Sequence, residues 1–212
     1  MAKAVIFDFD GVLVDTEPLF AKKFVELMNS AGYPLHEEEL RLQTGHETGK
    51  LFKYCNAKFG EIDWTSLLEK IRAINLEAAT QSPPIQTAIA AAERLSKNFP
   101  MAVASNSHRE AVLAGLQKIG VAKLFSAVVT WDDVEKKKPH PEPYLKACAL
   151  LGFSASECVA IEDSLPGITS AKAAGCKVIA FKNKGLPEQY LKEAELVTAD
   201  FGEVTPEFIE RI

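Results

Sequence analysis

Short apolar runs alternate with amphipathic segments over the second half of the chain. Four of the runs are dense in Val, Ile, Phe and Ala, which predicts buried strands at 101–106, 125–130, 158–163 and 177–181. Helical patterns that end at glycines separate the runs, at 109–120, 141–152 and 165–175. Repeated strand–helix–strand crossovers predict an α/β fold, with a Rossmann-like parallel sheet and helices on both faces.

The first apolar run, "AVIF", begins at residue 4 and is followed at once by two carboxylates. Asp8 and Asp10 are two residues apart, so they can point to the same side as the strand ends, and Gly11 permits a close turn after them. Ligands of open α/β sheets bind at the carboxyl ends of the strands. The pair therefore predicts a functional site.

The segment between residues 16 and 85 lacks this alternation. Amphipathic helical patterns cover 18–32 and 64–79, and no convincing strand lies between them. We therefore predict a core domain formed by 1–15 and 86–212, with an inserted helical cap domain at 16–85.

Composition and charge narrow the class of protein. The chain has 212 residues, of which 47% are hydrophobic, and a net charge of −5, which argues against nucleic acid or an anionic membrane as a partner. There is no run of about 20 apolar residues, no apolar leader before the first strand and no C-x-x-C pair among four cysteines. We expect a cytoplasmic protein. These features leave the oligomeric state open and are compatible with a monomer.

Further polar residues follow the other predicted strands and belong to the same edge of the sheet. They are Ser105 and Asn106 after the second strand, Lys138 after the third, and Glu162 with Asp163 after the fourth. Carboxylate oxygens bind Mg²⁺, and cations offset the charge of a phosphoryl group. The set therefore indicates metal-assisted phosphoryl transfer on a small phosphorylated metabolite.

Four motifs in order resemble those of the haloacid dehalogenase superfamily of phosphatases and phosphomutases. They are "DFDGVLVDT" at 8–16, "SNS" at 105–107, "KKKPHP" at 136–141 and "EDSLPG" at 162–167. The helices after the first motif resemble the cap of the subgroup that includes β-phosphoglucomutase and phosphoglycolate phosphatases. The resemblance spans nearly the whole chain.

The resemblance implies a role for each motif residue. Asp8 would be the nucleophile that forms an aspartyl phosphate, and Asp10 the general acid and base. Lys138 would bridge Asp8 and the phosphate, and Ser105 with the amide of Asn106 would hold phosphate oxygens. The helix that starts near His108 would add N-terminal amides there.

The same resemblance implies a Mg²⁺ site. Its ligands would be the carboxylates of Asp8 and Asp163 and the backbone carbonyl of Asp10, with Glu162 a further direct or water-mediated ligand. Two neighbouring residues also allow ordinary structural roles. Thr16 is interpreted either as a helix cap or as a site residue, and Ser164 is expected to cap the helix that follows it.

The loop "QTGHETGK" at 43–50 corresponds to the cap loop that selects the substrate in this subgroup, which makes His46 and Lys50 possible substrate contacts. Mutase relatives carry a histidine at the position of Phe20, an arginine near Thr48 and a lysine near Leu76. The absence of those groups favours a hydrolase, so we expect a Mg²⁺-dependent phosphatase for small phosphomonoesters such as a sugar phosphate or phosphoglycolate.

Three alternatives differ in particular features. A β-phosphoglucomutase-like mutase would share every catalytic residue and differ in the cap. A phospho-accepting receiver domain has its acidic pair before the phosphorylated aspartate, whereas Glu162 and Asp163 follow Lys138 here. A dehalogenase needs neither Asp10 nor an acidic metal pair.

Overall fold

One parallel sheet organises the molecule. A computed structural model describes residues 1–41, 48–182 and 193–212. Within them, the sheet has the strand order β3-β2-β1-β4-β5-β6, and all neighbouring strands are parallel. The strands are β1 (Ala4–Phe7), β2 (Met101–Ala104), β3 (Ala127–Val129), β4 (Cys158–Glu162), β5 (Lys177–Phe181) and β6 (Leu196–Thr198).

Helices connect the strands and cover the sheet. They are α1 (Glu17–Ser30), α2 (Glu37–Arg41), α3 (Thr48–Phe59), α4 (Leu68–Gln81), α5 (Gln86–Leu95), α6 (Arg109–Lys118), α7 (Glu142–Leu151), α8 (Leu165–Ala174) and α9 (Pro206–Glu210). Short 3₁₀ turns include Trp64–Ser66, Trp131–Asp133 and Phe201–Glu203. In the described residues, no helix has the length and apolar character needed to cross a membrane.

Both faces of the sheet are buried, as the continuous apolar runs predict. Val5 and Phe7 of β1 belong to one hydrophobic cluster, and Ala4 and Ile6 belong to another on the opposite face. All four side chains are fully buried. The α/β fold with a Rossmann-like parallel sheet is therefore confirmed, because only a sheet covered by helices on both sides buries alternate residues equally.

The register brings the carboxyl ends of three strands to one level. Phe7 of β1 pairs with Val103 of β2 on one side and with Ile161 of β4 on the other. Residues that follow these three positions therefore emerge side by side. After β1 the chain adds β2 and β3 on one side of it, and then adds β4, β5 and β6 on the other side. Ligands of parallel α/β sheets bind at such a reversal of the strand order.

The segment from α1 to α4 contributes no strand to the described sheet and has its own hydrophobic cluster. Phe24 and Met28 of α1, Cys55 of α3 and Ile71 of α4 belong to it. The division into a core domain of 1–15 and 86–212 and a cap domain of 16–85 stays a prediction.

A close helix contact ties this helical segment to the sheet. Helix α4 packs against α6, with Gly115 of α6 at the contact. A Cβ atom on Gly115 would lie 2.3 Å from Cζ of Phe9 and 3.0 Å from the backbone oxygen of Ala79. Phe9 is fully buried, so its ring cannot move aside without disturbing the core.

We predict that Gly115→Ala destabilises the protein. Alanine gains about 1 kcal/mol of helix propensity over glycine, but overpacking a filled core costs about 1–3 kcal/mol. The net expected loss is up to about 2 kcal/mol in the free energy of unfolding, measured by urea titration.

The exposed Gln117→Ala on the same helix is the control and should change the free energy of unfolding by no more than about 0.5 kcal/mol. A Gly115→Ala protein as stable as the wild type would show that the α4–α6 contact is looser than described.

Candidate active site

Strand β1 delivers two carboxylates to one edge of the sheet and buries the ring between them. Asp8 is only 7% exposed, Asp10 is half-buried, and Phe9 points into the core on the opposite side. The amide of Asp8 still donates to the carbonyl of Ile161 at 3.0 Å, so strand geometry persists to this residue. Gly11 then turns the chain with a φ of 74°.

Two glycines make room for the two acidic residues at the carboxyl end of β4, Glu162 and Asp163. A Cβ atom on Gly11 would lie 1.9 Å from Oδ2 of Asp163, and one on Gly167 would lie 1.9 Å from Oε1 of Glu162. Any larger residue at either position would displace a carboxylate. Gly11 of the first motif and Gly167 of the fourth therefore determine the positions of the Asp163 and Glu162 carboxylates.

A buried lysine connects two of the carboxylates. Nζ of Lys138 donates to Oδ1 of Asp8 at 3.0 Å, to Oε1 of Glu162 at 2.5 Å and to the carbonyl of Ala104 at 2.8 Å. Lys138 is 4% exposed and Glu162 is fully buried. These three bonds use all three donors of the ammonium group.

The burial of these charges shifts their pKa values. Burial first, and then the nearby Glu162 carboxylate, raise the pKa of Asp8 to about 8, although Lys138 opposes both effects. Burial alone would lower the pKa of Lys138, but the Asp8 and Glu162 carboxylates outweigh it and raise that pKa above the ordinary value. The carboxylates thus carry more negative charge than one lysine offsets.

Glu162 is held from two further sides. The hydroxyl of Tyr144 donates to its Oε1 at 2.6 Å, and the hydroxyl of Ser164 donates to its Oε2 at 3.1 Å. Oγ of Ser164 also accepts from the amide of Gly167, which confirms Ser164 as the N-cap of α8. Glu162 therefore has a fixed orientation toward Lys138.

Three hydroxyl groups donate to the carboxylate of Asp10. Thr16 binds Oδ1 at 2.7 Å, while Ser107 and Ser105 bind Oδ2 at 2.7 Å and 3.1 Å. Thr16 occupies the N-cap position of α1 but makes no side-chain capping bond there. The capping interpretation of Thr16 is thus wrong, because its hydroxyl is committed to Asp10.

The second motif meets both the first and the third. Ser105 is 1% exposed, and besides donating to Asp10 its Oγ accepts from the amide of Ser107 at 2.9 Å. The side chain of Asn106 pairs with the backbone of Lys138, donating to its carbonyl at 3.2 Å and accepting from its amide at 3.0 Å. The predicted contacts of Ser105 and the Asn106 amide with phosphate stay predictions.

The N-terminus of α6 is capped from a neighbouring segment. Oδ2 of Asp132 accepts from the amide of Arg109 at 2.7 Å, and Oδ1 lies 3.1 Å from Nδ1 of His108. The first helical amide is therefore engaged by Asp132. The predicted contribution of the N-terminal amides of this helix to phosphate binding stays a prediction.

The acidic residues suit a hard divalent cation. Asp8, Glu162 and Asp163 each offer an oxygen within 4.8 Å of the others. Oxygen donors at this spacing match the preference of Mg²⁺, and the space that Gly11 leaves for Asp163 keeps its carboxylate in the group. The residues present therefore fit the metal that the sequence predicts.

A cavity of about 260 Å³ opens beside these groups. Residues of the four motifs line it, among them Asp8, Asp10, Lys138 and Asp163. The walls carry apolar and polar side chains from the helices and from the loops after β2 and β3, including Phe20, Phe52, Leu68, Ile71, Arg72, Asn75, His108 and Trp131.

Two predicted substrate contacts fall outside this description. His46 and the side chain of Lys50 lie outside the described residues. Conversely, no motif or spacing in the sequence singles out Tyr144 or the cavity residues of α4. Ser107 is the third residue of the "SNS" motif, and its place in that motif is the sequence feature that could have predicted it as a partner of Asp10.

Comparison with known proteins gives the family. The model of the haloacid dehalogenase-like hydrolases matches residues 5–181. The chain is 31% identical to hexitol phosphatase A of Escherichia coli over 207 residues, covering 96% of this chain and 93% of that protein. It is 29% identical to a phosphorylated carbohydrates phosphatase of Thermotoga maritima over 182 residues, covering 84% and 83%.

A solved structure of β-phosphoglucomutase from Clostridium difficile superposes with a TM-score of 0.82 over 100% of this chain and 96% of that one. At 21% identity, this similarity shows a common fold. The family match, the identity to the hexitol phosphatase and the four motifs agree, and they confirm the prediction of an enzyme of this superfamily. The chain therefore belongs to the haloacid dehalogenase-like hydrolases.

Proposed function

We propose that this protein is a Mg²⁺-dependent phosphatase that hydrolyses small phosphomonoesters through an aspartyl phosphate, an acyl phosphate on Asp8. The observation that supports it most is the pairing of Asp8 with buried Lys138 inside an acidic group that includes Asp163. A nucleophilic carboxylate repels a phosphate, so such a site needs cations on both sides of it. Lys138 supplies one of them.

The first half of the reaction transfers the phosphoryl group to Asp8. A carboxylate oxygen of Asp8 bonds to phosphorus while the bond to the leaving alcohol breaks, and Asp10 gives its proton to the departing oxygen. Lys138 keeps the Asp8 carboxylate in a single orientation through its bond to Oδ1. Positioning of this kind lowers the barrier because the reacting groups are already aligned.

The second half releases inorganic phosphate. Asp10 takes a proton from a water molecule, whose oxygen attacks phosphorus, and the bond between phosphorus and Asp8 breaks. Asp10 is thereby protonated again for the next cycle. Ser105 and the backbone amide of Asn106 hold phosphate oxygens in both halves.

The carboxylates of Asp8 and Asp163 would hold Mg²⁺, with the Asp10 carbonyl as a further ligand and Glu162 as a direct or water-mediated one. When bound, the ion neutralises phosphate charge and stabilises the transition state. Glu162 also orients Lys138, since the two share a 2.5 Å bond. The raised pKa of Asp8, caused by burial and then by the Glu162 carboxylate, supports this assignment, because a cation bound there would offset both effects.

The cavity wall supports hydrolysis over mutase chemistry. Phe20 lines the cavity at the position where mutase relatives carry a histidine, and Leu76 packs against the core where they carry a lysine. Neither side chain can form a hydrogen bond or an ion pair with a substrate hydroxyl or a second phosphate. Apolar side chains at these two positions suit a small monophosphate whose leaving group is released to water.

The cysteines support a reducing cytoplasm as the setting. All four, Cys55, Cys148, Cys158 and Cys176, are buried free thiols. Cys148 and Cys176 have sulfur atoms 3.7 Å apart without a disulfide. A small phosphorylated metabolite of that compartment is the proposed partner.

We predict that Asp8→Asn reduces phosphatase activity to below about 1% of wild type, since an amide is a poor nucleophile and carries no metal-binding charge. The measurement is phosphate release from a panel of phosphorylated metabolites with Mg²⁺. Asp63→Asn, an exposed residue outside the cavity, should retain wild-type activity. Substantial turnover by Asp8→Asn would refute the nucleophile assignment.

Asp163→Asn is expected to raise the Mg²⁺ concentration for half-maximal rate by about tenfold or more, because an anionic ligand is lost. Titration of activity with MgCl₂ after treatment with a chelator measures it. An unchanged Mg²⁺ requirement would show that Asp163 is not a ligand.

Product analysis separates the hydrolase from the mutase. With β-glucose 1-phosphate and a trace of the 1,6-bisphosphate, we expect inorganic phosphate and free glucose as the products of any turnover. Accumulation of glucose 6-phosphate ahead of inorganic phosphate would favour the mutase instead.

A further inference from the structure

The hydroxyl groups that donate to Asp10 differ in the other partners that they bind. Oγ of Ser105 accepts from the amide of Ser107 and donates its single hydrogen to Oδ2 of Asp10. In the proposed function the same hydrogen is needed by a phosphate oxygen. Once Ser105 turns to phosphate, its bond to Asp10 is lost, and Oδ2 keeps a hydroxyl donor only if another residue supplies it.

Ser107 is that residue. Its Oγ lies 2.7 Å from Oδ2 of Asp10, which is shorter than the 3.1 Å bond from Ser105. Its backbone amide holds Ser105 in place, so the side chain and the backbone of Ser107 serve different partners. Ser107 also lines the cavity together with Asp10.

On the other carboxylate oxygen, Thr16 donates to Oδ1 at 2.7 Å. Ser107 and Thr16 therefore hold the carboxylate from its two ends, one from the loop after β2 and one from the start of α1. A carboxylate held at both oxygens has a defined plane, and a general acid needs that plane to face the leaving oxygen.

We propose that Ser107 is a positioning residue that keeps Asp10 aimed at the leaving oxygen while Ser105 binds the phosphate. The inference rests on the proposed function and adds a residue to it. Its action runs through Asp10, so its effect must depend on how much the leaving group needs protonation.

The test uses two leaving groups. Alkyl phosphates such as glycerol 3-phosphate and glucose 6-phosphate release basic alkoxides that require a general acid, whereas p-nitrophenyl phosphate releases a stable phenolate that does not. For Ser107→Ala we expect kcat/KM to fall about tenfold more for the faster alkyl substrate than for p-nitrophenyl phosphate. Equal losses on both would overturn the proposal.

A matched pair of variants separates the hydroxyl from packing. Ser107→Thr and Ser107→Val have nearly the same shape, and only the threonine can donate to Asp10. We expect Ser107→Thr to keep the wild-type ratio of the two kcat/KM values and Ser107→Val to resemble Ser107→Ala. Equal ratios in the two variants would also overturn the proposal.

A double-mutant cycle with Asp10→Asn gives the closing evidence. If Ser107 acts through Asp10, Ser107→Ala should cause no further loss on the alkyl phosphate in the Asp10→Asn background. Additive losses would place Ser107 in a separate role and refute the inference while the proposed phosphatase stands. A wild-type protein that hydrolyses neither substrate would refute both.

Discussion

The site depends on a single buried positive charge. Lys138 binds Asp8 and Glu162 in a place where neither carboxylate has access to much water. Removing one member of a buried ion pair is costly, typically about 3–5 kcal/mol, because the remaining charge has no solvent to stabilise it. The elements around the pair serve to make this arrangement possible.

Those supporting contacts come from elements far apart in the chain. Asn106, after β2, fixes the backbone of Lys138 through two hydrogen bonds. The hydroxyl of Tyr144 in α7 donates to the Glu162 carboxylate, and Gly167 of α8 leaves the space that this carboxylate fills. These contacts together hold Lys138 and Glu162 in place, and Lys138 in turn lies 3.0 Å from Asp8.

The sequence predicts the sheet well because burial on both faces leaves a strong signal. The strand at 177–181 matches β5, while the predicted strands 101–106 and 158–163 run past β2 and β4 into the polar site residues. The weaker elements, α2 and β6, have only 5 and 3 residues and too little periodicity to be recognised.

Among the site residues, the motif acids and Lys138 were recognisable from their spacing. Tyr144 was not, since its role arises only when α7 packs against the sheet and brings the tyrosine hydroxyl to Glu162.

The contact between Gly115, Phe9 and the end of α4 has a consequence for changing substrate preference. The backbone of Ala79 is anchored there, while Arg72 and Leu68 lie about two and three helical turns earlier on the same helix and line the cavity. New side chains at those two positions alter the wall that meets the leaving group without touching the anchor. Substrate range can therefore diverge among descendants of this chain, or be redesigned, while the geometry around Asp8 and Asp10 is inherited unchanged.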